Sequence, residues 1–336
     1  MEPGTVVGNR FELLGLAARG GMGAVYRARD RVTGQLVALK TLRESLTASE
    51  AERLVREGAL LATLGHPGIV RHVAHGVDPE AGVFVAMEWV AGVTLHEHIG
   101  RVGLSLAESV DVVRRVAEAL GHAHRAGAIH RDVKPTNVIL RDGDVARPVL
   151  IDFGVARSHA PSELTTTGVM VGTPQFMAPE QARGARDVDA RADVFALGGV
   201  LYFCLTRRHV FASDSLMALL ARVLLDEAPD VRELVPTVPA PLAGLIARML
   251  AKDPASRPAD GLVVAGALAA VVVEAETLVR SPVRTSEERE MLTSAERRLV
   301  SVIVSKARRT PTAPEDETQV VSAPPDVKAA LVRSLA

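Results

Sequence analysis

Ile129-His130-Arg131-Asp132-Val133-Lys134-Pro135-Thr136-Asn137 is the stretch whose reading decides the fold. It brings a carboxylate, an ammonium and an amide close together and then passes into a short apolar strand, Val138-Ile139-Leu140. Arg141-Asp142-Gly143-Asp144 has the composition of a hairpin turn. A second short strand, Val149-Leu150-Ile151, follows and runs into Asp152-Phe153-Gly154. Taken alone, Asp-Phe-Gly is often just a turn after a strand. Two polar motifs in this order, separated by one hairpin, carry far more weight than either.

The pair resembles the catalytic loop and metal-binding motif of protein kinases, and lysine followed by proline after the aspartate resembles the Ser/Thr branch. The nearest likeness is to bacterial eukaryotic-like Ser/Thr protein kinases. The resemblance implies an α+β, bilobal protein-kinase fold, with a small antiparallel β lobe plus one helix set on a larger, mainly helical lobe. It implies transfer of the ATP γ-phosphate to protein Ser/Thr hydroxyls. Such transfer has a loose transition state, so the protein supplies mainly positioning and charge neutralisation. On this resemblance Asp132 accepts the substrate hydroxyl's proton and Lys134 places a point charge beside the transferred group. Asn137 and Asp152 offer a neutral and a charged oxygen to Mg²⁺, a hard cation that prefers oxygen ligands; Mn²⁺ is the alternative ion.

Composition sets outer bounds. The chain has 336 residues, 48% hydrophobic and 24% charged, which is ordinary for a soluble globular protein and allows one large domain or two. A formal net charge of −1 gives no bulk attraction to nucleic acid or membrane. The single cysteine, Cys204, sits in an apolar run and reads as a buried thiol. Met1-Glu2-Pro3-Gly4 lacks the regions of a signal peptide. The apolar run from Leu262 to Val273 is too short to span a bilayer and reads as a packed helix. The expectation is a cytoplasmic protein with protein partners, no nucleic acid and no membrane segment.

Upstream, residues 10–41 read as three strands. Phe11 to Leu16 leads through Gly20-Gly21-Met22-Gly23 to Ala24-Val25-Tyr26, Asp30 to Gly34 is a turn, and Leu36 to Lys40 follows. Glycines let a backbone approach phosphate oxygens, although a broken glycine pattern alone is equally an ordinary hairpin. Period-two alternation puts Ala38 and Lys40 on one face. Together these stretches resemble the kinase glycine-rich loop and the strand bearing the nucleotide lysine. Gly20 and Gly23 fit the second and third glycines, and Ala18 stands where the first is expected.

Thr47-Ala48-Ser49-Glu50 has capping-box spacing, and the helix beyond it carries Glu57 on the face of Leu54, Gly58, Leu61 and Leu64. Two readings are open for Glu57: a rim glutamate with its head in water, or a carboxylate with a partner. The resemblance supplies Lys40 as that partner. His72 falls where an apolar residue of the packed regulatory spine is expected.

Val83 to Val90 reads as a buried strand and resembles the strand and hinge beside the adenine. On that resemblance Met87 is the gatekeeper, and Glu88 and Val90 offer backbone groups to the adenine edge. Ala91-Gly92 is the pivot, Val25 and Ala38 roof the base, and Ile139 is its floor. Ser105-Leu106-Ala107-Glu108 is a second capping box, and Val110, Val113, Ala117 and Leu120 recur at helical spacing. His122 and His124 read as ordinary helix histidines.

Val155 to Met177 has little periodicity, and a loop of that length in a compact domain is usually functional or mobile. It resembles an activation segment closed by Ala178-Pro179-Glu180. Thr165, Thr166 and Thr167 are the expected phosphosites, ordered against Arg131 by the added charge; a solvated threonine run is the plain alternative. Thr173 is expected beside Asp132 and Lys134, at the substrate hydroxyl. Asp193, a carboxylate entering a strongly apolar helix, is expected to anchor the catalytic-loop backbone. Arg257, within Asp253-Pro254-Ala255-Ser256-Arg257-Pro258, is expected to pair with Glu180.

The resemblance covers residues 10–273, divided into a small lobe over 10–90 and a large lobe over 91–273. Residues 274–295 read as a linker. Residues 296–336 read as the partial start of a further domain or as a disordered tail, because one strand and one helix cannot bury a core. Autophosphorylation, with a dimer as one route, is expected. The alternative is a pseudokinase scaffold that binds ATP without transfer, and Ala18 is the only feature that favours it. A small-molecule phosphotransferase would not be expected to carry Thr173 and Ala178-Pro179-Glu180.

Overall fold

Short strands with buried and less buried residues in alternation open the chain, and they pair into one antiparallel sheet. The strands are β1 (Val6–Val7), β2 (Phe11–Gly20), β3 (Gly23–Asp30), β4 (Leu36–Leu42), β5 (His72–Asp78) and β6 (Gly82–Glu88), in the order β1-β2-β3-β4-β6-β5. The structure is a computed structural model and describes residues 1–20, 23–42, 62–153, 174–185 and 187–272. These lie within one compact unit, Met1–Met291. Strand β2 runs beyond Leu16 because register shifts at Leu13/Gly15 and Leu16/Ala18 let it keep pairing with β3 as far as Gly20↔Gly23. The strand expected over Val83 to Val90 ends at Glu88.

One face of this sheet closes over its own core of Phe11, Leu13, Tyr26, Ala28, Val37, Leu39, Phe84 and Ala86. Asp30, at the end of β3, is buried and accepts from Arg10 Nε and Nη2, each at 2.8 Å. The Arg10 guanidinium outweighs the effect of burial and holds the Asp30 carboxyl well below the usual range.

The second lobe has its own, larger core. A three-stranded sheet, β7 (Gly92–Thr94), β8 (Val138–Arg141) and β9 (Pro148–Leu150), lies at its edge. Its helices are α1 (Leu95–Arg101), α2 (Leu106–Arg125), α3 (Pro179–Ala182), α4 (Ala190–Thr206), α5 (Leu216–Leu225), α6 (Val231–Leu234), α7 (Ala240–Met249) and α8 (Gly261–Ala269). Helix α2 starts at the capping box: Glu108 N donates to Ser105 Oγ at 3.2 Å, and Ser105 N donates to Glu108 Oε2 at 2.7 Å.

Helix α4 is buried on every side, as an all-round apolar helix must be. It carries Cys204, whose thiol burial pushes up to about 12. The packed helix expected from Leu262 to Val273 is α8, which stops at Ala269. It lies hard against α2, since a Cβ on Gly261 would meet Ala117 O at 2.4 Å.

The lobes meet through the turn 64–69. Leu64 and Ile69 belong to the large-lobe core, and Val70 N donates to Leu150 O at 3.0 Å. Gly92, at the expected pivot, has φ +150°, and a Cβ there would meet Leu140 O at 2.0 Å.

Candidate active site between the lobes

The register of the small lobe places Val25 opposite Lys40 and Ala38 opposite Met87. Val25, Ala38, Lys40 and Met87 are half-buried, whereas Tyr26, Val37, Leu39 and Ala86 beside them are buried. Ile139 in β8 is likewise half-buried between buried Val138 and Leu140. Period-two alternation therefore turns one set of side chains into the cores and leaves the other set to wall a cleft. Ala18 pairs with Val25 within the β2–β3 ladder. It is not among the described residues with positive φ, so its Cβ strains nothing.

Lys40 Nζ reaches across to Asp152 Oδ1 at 2.9 Å. Burial pushes Asp152 up, but Lys40, helped by Lys134, holds its carboxyl below the ordinary value. Asn137 sits in the 3₁₀ turn Pro135–Asn137, and its Nδ2 donates to Asp132 O at 2.8 Å and Asp132 Oδ2 at 3.1 Å. Lys134 Nζ lies 3.1 Å from the same carboxylate oxygen. Arg131 and Asp152 both sit at positive φ, 63° and 58°. Left-handed backbone at non-glycine residues persists only where the surroundings enforce it.

The enforcing groups are explicit. Asp193, in the first turn of α4, accepts from His130 N and Arg131 N at 2.7 Å each. The buried imidazole of His130 accepts from Asp132 N at its Nδ1 (3.2 Å) and donates from Nε2 to Ile151 O (2.9 Å). The ring is therefore neutral, and burial lowers its pKa. It packs at a tilt against Phe153, ring centroids 4.5 Å apart, which ties the catalytic loop to the residue after Asp152. Gln181 in α3 donates to Arg131 O at 3.0 Å.

His124 adds a link that helical spacing alone did not suggest. Its Nε2 lies 2.9 Å from Asp193 Oδ2, and its Nδ1 accepts from Gly261 N at 3.2 Å. The only sequence signal was a histidine facing the apolar side of α2. A second unanticipated feature is the Thr94/Glu97 capping box that starts α1; its Thr-x-x-Glu spacing was present to be read. His72, on the small-lobe side, meets His75 at 3.0 Å, and burial with that neighbour lowers it to about 4.

Arg257 binds Glu180 in a fork, Nη1 to Oε1 at 2.7 Å and Nη2 to Oε2 at 2.9 Å. Gly21, Glu57, Thr165, Thr166, Thr167 and Thr173 lie outside the described residues, as does the capping box at Thr47–Glu50.

The site's donor set fits a hard divalent cation. Asn137 spends its Nδ2 on Asp132 and Asp152 spends Oδ1 on Lys40. Among the described residues, nothing donates to Asn137 Oδ1 or Asp152 Oδ2. Two oxygens of the right chemistry thus remain for such an ion.

Two lobes joined by a short connection, with a cross-cleft lysine–aspartate pair above an anchored Asp-x-Lys-x-x-Asn loop, define a protein kinase domain. The family description for that domain matches residues 11–270, and the chain belongs to the family. Its curated relatives include the DNA damage-responsive serine/threonine-protein kinase RqkA of Deinococcus radiodurans, 40% identical over 269 residues. They also include the serine/threonine-protein kinases pkn3 of Myxococcus xanthus (34% over 300 residues) and PknD of Mycobacterium tuberculosis (40% over 258). These matches cover 79%, 86% and 75% of this chain but only 40%, 55% and 38% of the relatives. The chain is thus of the bacterial eukaryotic-like Ser/Thr kinase kind, and it spans about half or less of the length of these relatives. A crystal structure of Rad53 in complex with AMP-PNP shares the fold, with a TM-score of 0.64 at 23% identity, covering 77% of this chain and 64% of that one.

Proposed function

We propose that this chain transfers the γ-phosphate of ATP to Ser/Thr hydroxyls of proteins, itself included, with Mg²⁺ bound by Asn137 and Asp152. The observation that carries the reading is the Lys40–Asp152 pair at 2.9 Å, next to Ile151, whose N donates to Asn137 O (2.9 Å) in the loop that holds Asp132 and Lys134. The kinase domain takes residues 10–273, followed by a linker over 274–295. Val25, Ala38, Met87 and Ile139 enclose the adenine, and the backbone of Glu88 and Val90 meets its edge. Lys40 holds the α- and β-phosphates, and Glu57 is its second carboxylate partner. Gly20, Gly21 and Gly23 let the backbone close over the phosphates.

In the transfer step the substrate oxygen bonds to the γ-phosphorus while the bond to the bridging oxygen breaks, and ADP leaves with that electron pair. Asp132 takes the hydroxyl proton. Asn137 Nδ2 keeps the Asp132 carboxylate from rotating away, and Lys134 balances charge on the transferred group. Asn137 and Asp152 would hold a divalent ion, which would supply neutralisation of phosphate charge. Thr173 orients the substrate hydroxyl, and phosphate on Thr165, Thr166 or Thr167 orders the loop against Arg131.

The test is transfer from labelled ATP to a Ser/Thr peptide by the parent and by Asp132→Asn, with nucleotide binding followed by thermal shift. Transfer that is lost in the variant while ATP still binds supports the reading. Binding without transfer in either protein overturns it in favour of a scaffold.

A further inference from the structure

A cavity of about 610 Å³ lies beside the connection between the lobes, and none of Lys40, Asp132, Asn137 or Asp152 lines it. Its wall is made by the turn 64–69, by α2, by the β8–β9 hairpin and by Glu88 at the end of β6. Arginines reach it from separate elements: Arg71 just before β5, Arg115 from α2, Arg141 from β8, and Arg147 from the hairpin.

Two carboxylates share the wall, and both are already engaged. Glu88 accepts from Arg141 Nη2 at 2.9 Å and from Arg71 N at 3.2 Å. Glu118 accepts from Arg114, outside the lining. Among the described residues, Arg115 and Arg147 each make one hydrogen bond to an outer carboxylate, Asp111 at 2.8 Å and Asp142 at 3.1 Å. Arg71 is exposed, and its side chain makes no ion pair among the described residues. A guanidinium has five N–H donors, so most of those here have no hydrogen-bond partner among the described residues. His66 adds another: its Nδ1 accepts from Gly68 N at 3.0 Å, which leaves the proton of the neutral ring on Nε2.

The shape argues for an extended ligand. The Arg115 and Arg147 side chains are 40% and 53% exposed, so the rim is open rather than closed over one compact anion. Arginines spaced along an open trough match carboxylates spaced along a chain. We propose that this trough docks an acidic segment of the protein substrate, away from the transferred phosphate. The proposal rests on the protein-kinase reading for the identity of the partner, but not for the recognition of acid.

Fluorescence anisotropy with a labelled glutamate-rich peptide, and with its glutamine counterpart, tests recognition on the full chain without any turnover. The acidic probe should bind selectively and lose affinity as salt rises. Arg71→Glu with Arg147→Glu should weaken it about 3- to 10-fold, the sum of a few exposed charge pairs. The same variant should raise KM for a Ser/Thr peptide carrying the acidic extension. It should leave kcat and KM for the unextended peptide unchanged. If the double variant melts early, Arg71→Gln serves in its place.

Equal binding of both probes overturns the proposal, as does acidic-probe binding that the variants do not weaken. Displacement of the acidic probe by millimolar inorganic phosphate, with no effect of the extension on KM, also overturns it, because the site would then take small anions. Selective probe binding with no turnover would count against the kinase reading, and turnover without selective binding against the trough alone.

Discussion

Replacing Arg257 by alanine tests the buried ion pair between Arg257 and Glu180. The Arg257 side chain is fully buried, and Glu180 is 13% exposed. All five guanidinium donors are used: two on Glu180, and one each on Ala251 O (2.7 Å), Arg191 O (3.0 Å) and Lys252 O (3.1 Å). Truncation therefore strands a carboxylate and removes a donor from three carbonyls. Breaking a buried pair by removing one partner costs about 3–5 kcal/mol. For a domain of this size each kcal/mol shifts Tm by about 2–4 °C, so the fall should be on the order of 10 °C. Urea unfolding measures the loss directly. Arg257→Lys keeps the charge without the fork and should lose about half as much. The double variant Arg257→Ala with Glu180→Ala should lose less than the sum of the singles, because no charge is then left unpaired. A loss below about 1 kcal/mol in Arg257→Ala, or strict additivity in the cycle, would refute the reasoning.

Lys40→Met should lower kcat/KM about 10²–10³-fold, the size of one lost electrostatic clamp; unchanged turnover would remove the cleft assignment. Thr165, Thr166 and Thr167 changed together to alanine should lower activity in a protein first incubated with Mg·ATP, and full activity would refute phosphate ordering of the loop. His130 is neutral and its folded pKa lies below 6.5, so below pH 6.5 the unfolded chain binds a proton that the folded chain refuses. Its contribution to stability is complete above that pH and declines as pH falls, by up to about 1.4 kcal/mol per pH unit, until the folded pKa is reached. Melting curves between pH 7.5 and 5.5 should therefore shift downward with falling pH, and an upward shift would contradict a neutral His130.

Much of this site was legible because its residues are out of place by ordinary rules. A carboxylate entering the apolar helix α4 had to have partners, and Asp193 has two backbone amides and His124. The capping box at Ser105 marked where α2 begins, since local spacing and local geometry coincide there. His124 was not legible, because a histidine on a helix's inner face has no spacing that distinguishes an anchor from filler. Its role depends on Asp193 and Gly261, both far away in sequence. The side chain of Glu88 was missed for the same reason: hinge reasoning concerns backbone groups, while its carboxylate bridges to Arg141 across the lobes. Ala18 is the converse case. A missing glycine looked like a defect, yet the strand there stays in the ladder at a φ that alanine tolerates. The bounds of α8 escaped because a continuous apolar run carries no stop signal of its own.

The central claim is that Asp132 and Lys40 act on one bound ATP across the cleft. Incubation of the purified chain with Mg·ATP, followed by mass spectrometry of its peptides, tests that claim most directly. The account predicts phosphate on Ser or Thr in the parent chain, with Thr165, Thr166 and Thr167 among the sites, and none in Asp132→Asn. Phosphate at the same sites and the same rate in Asp132→Asn would contradict it.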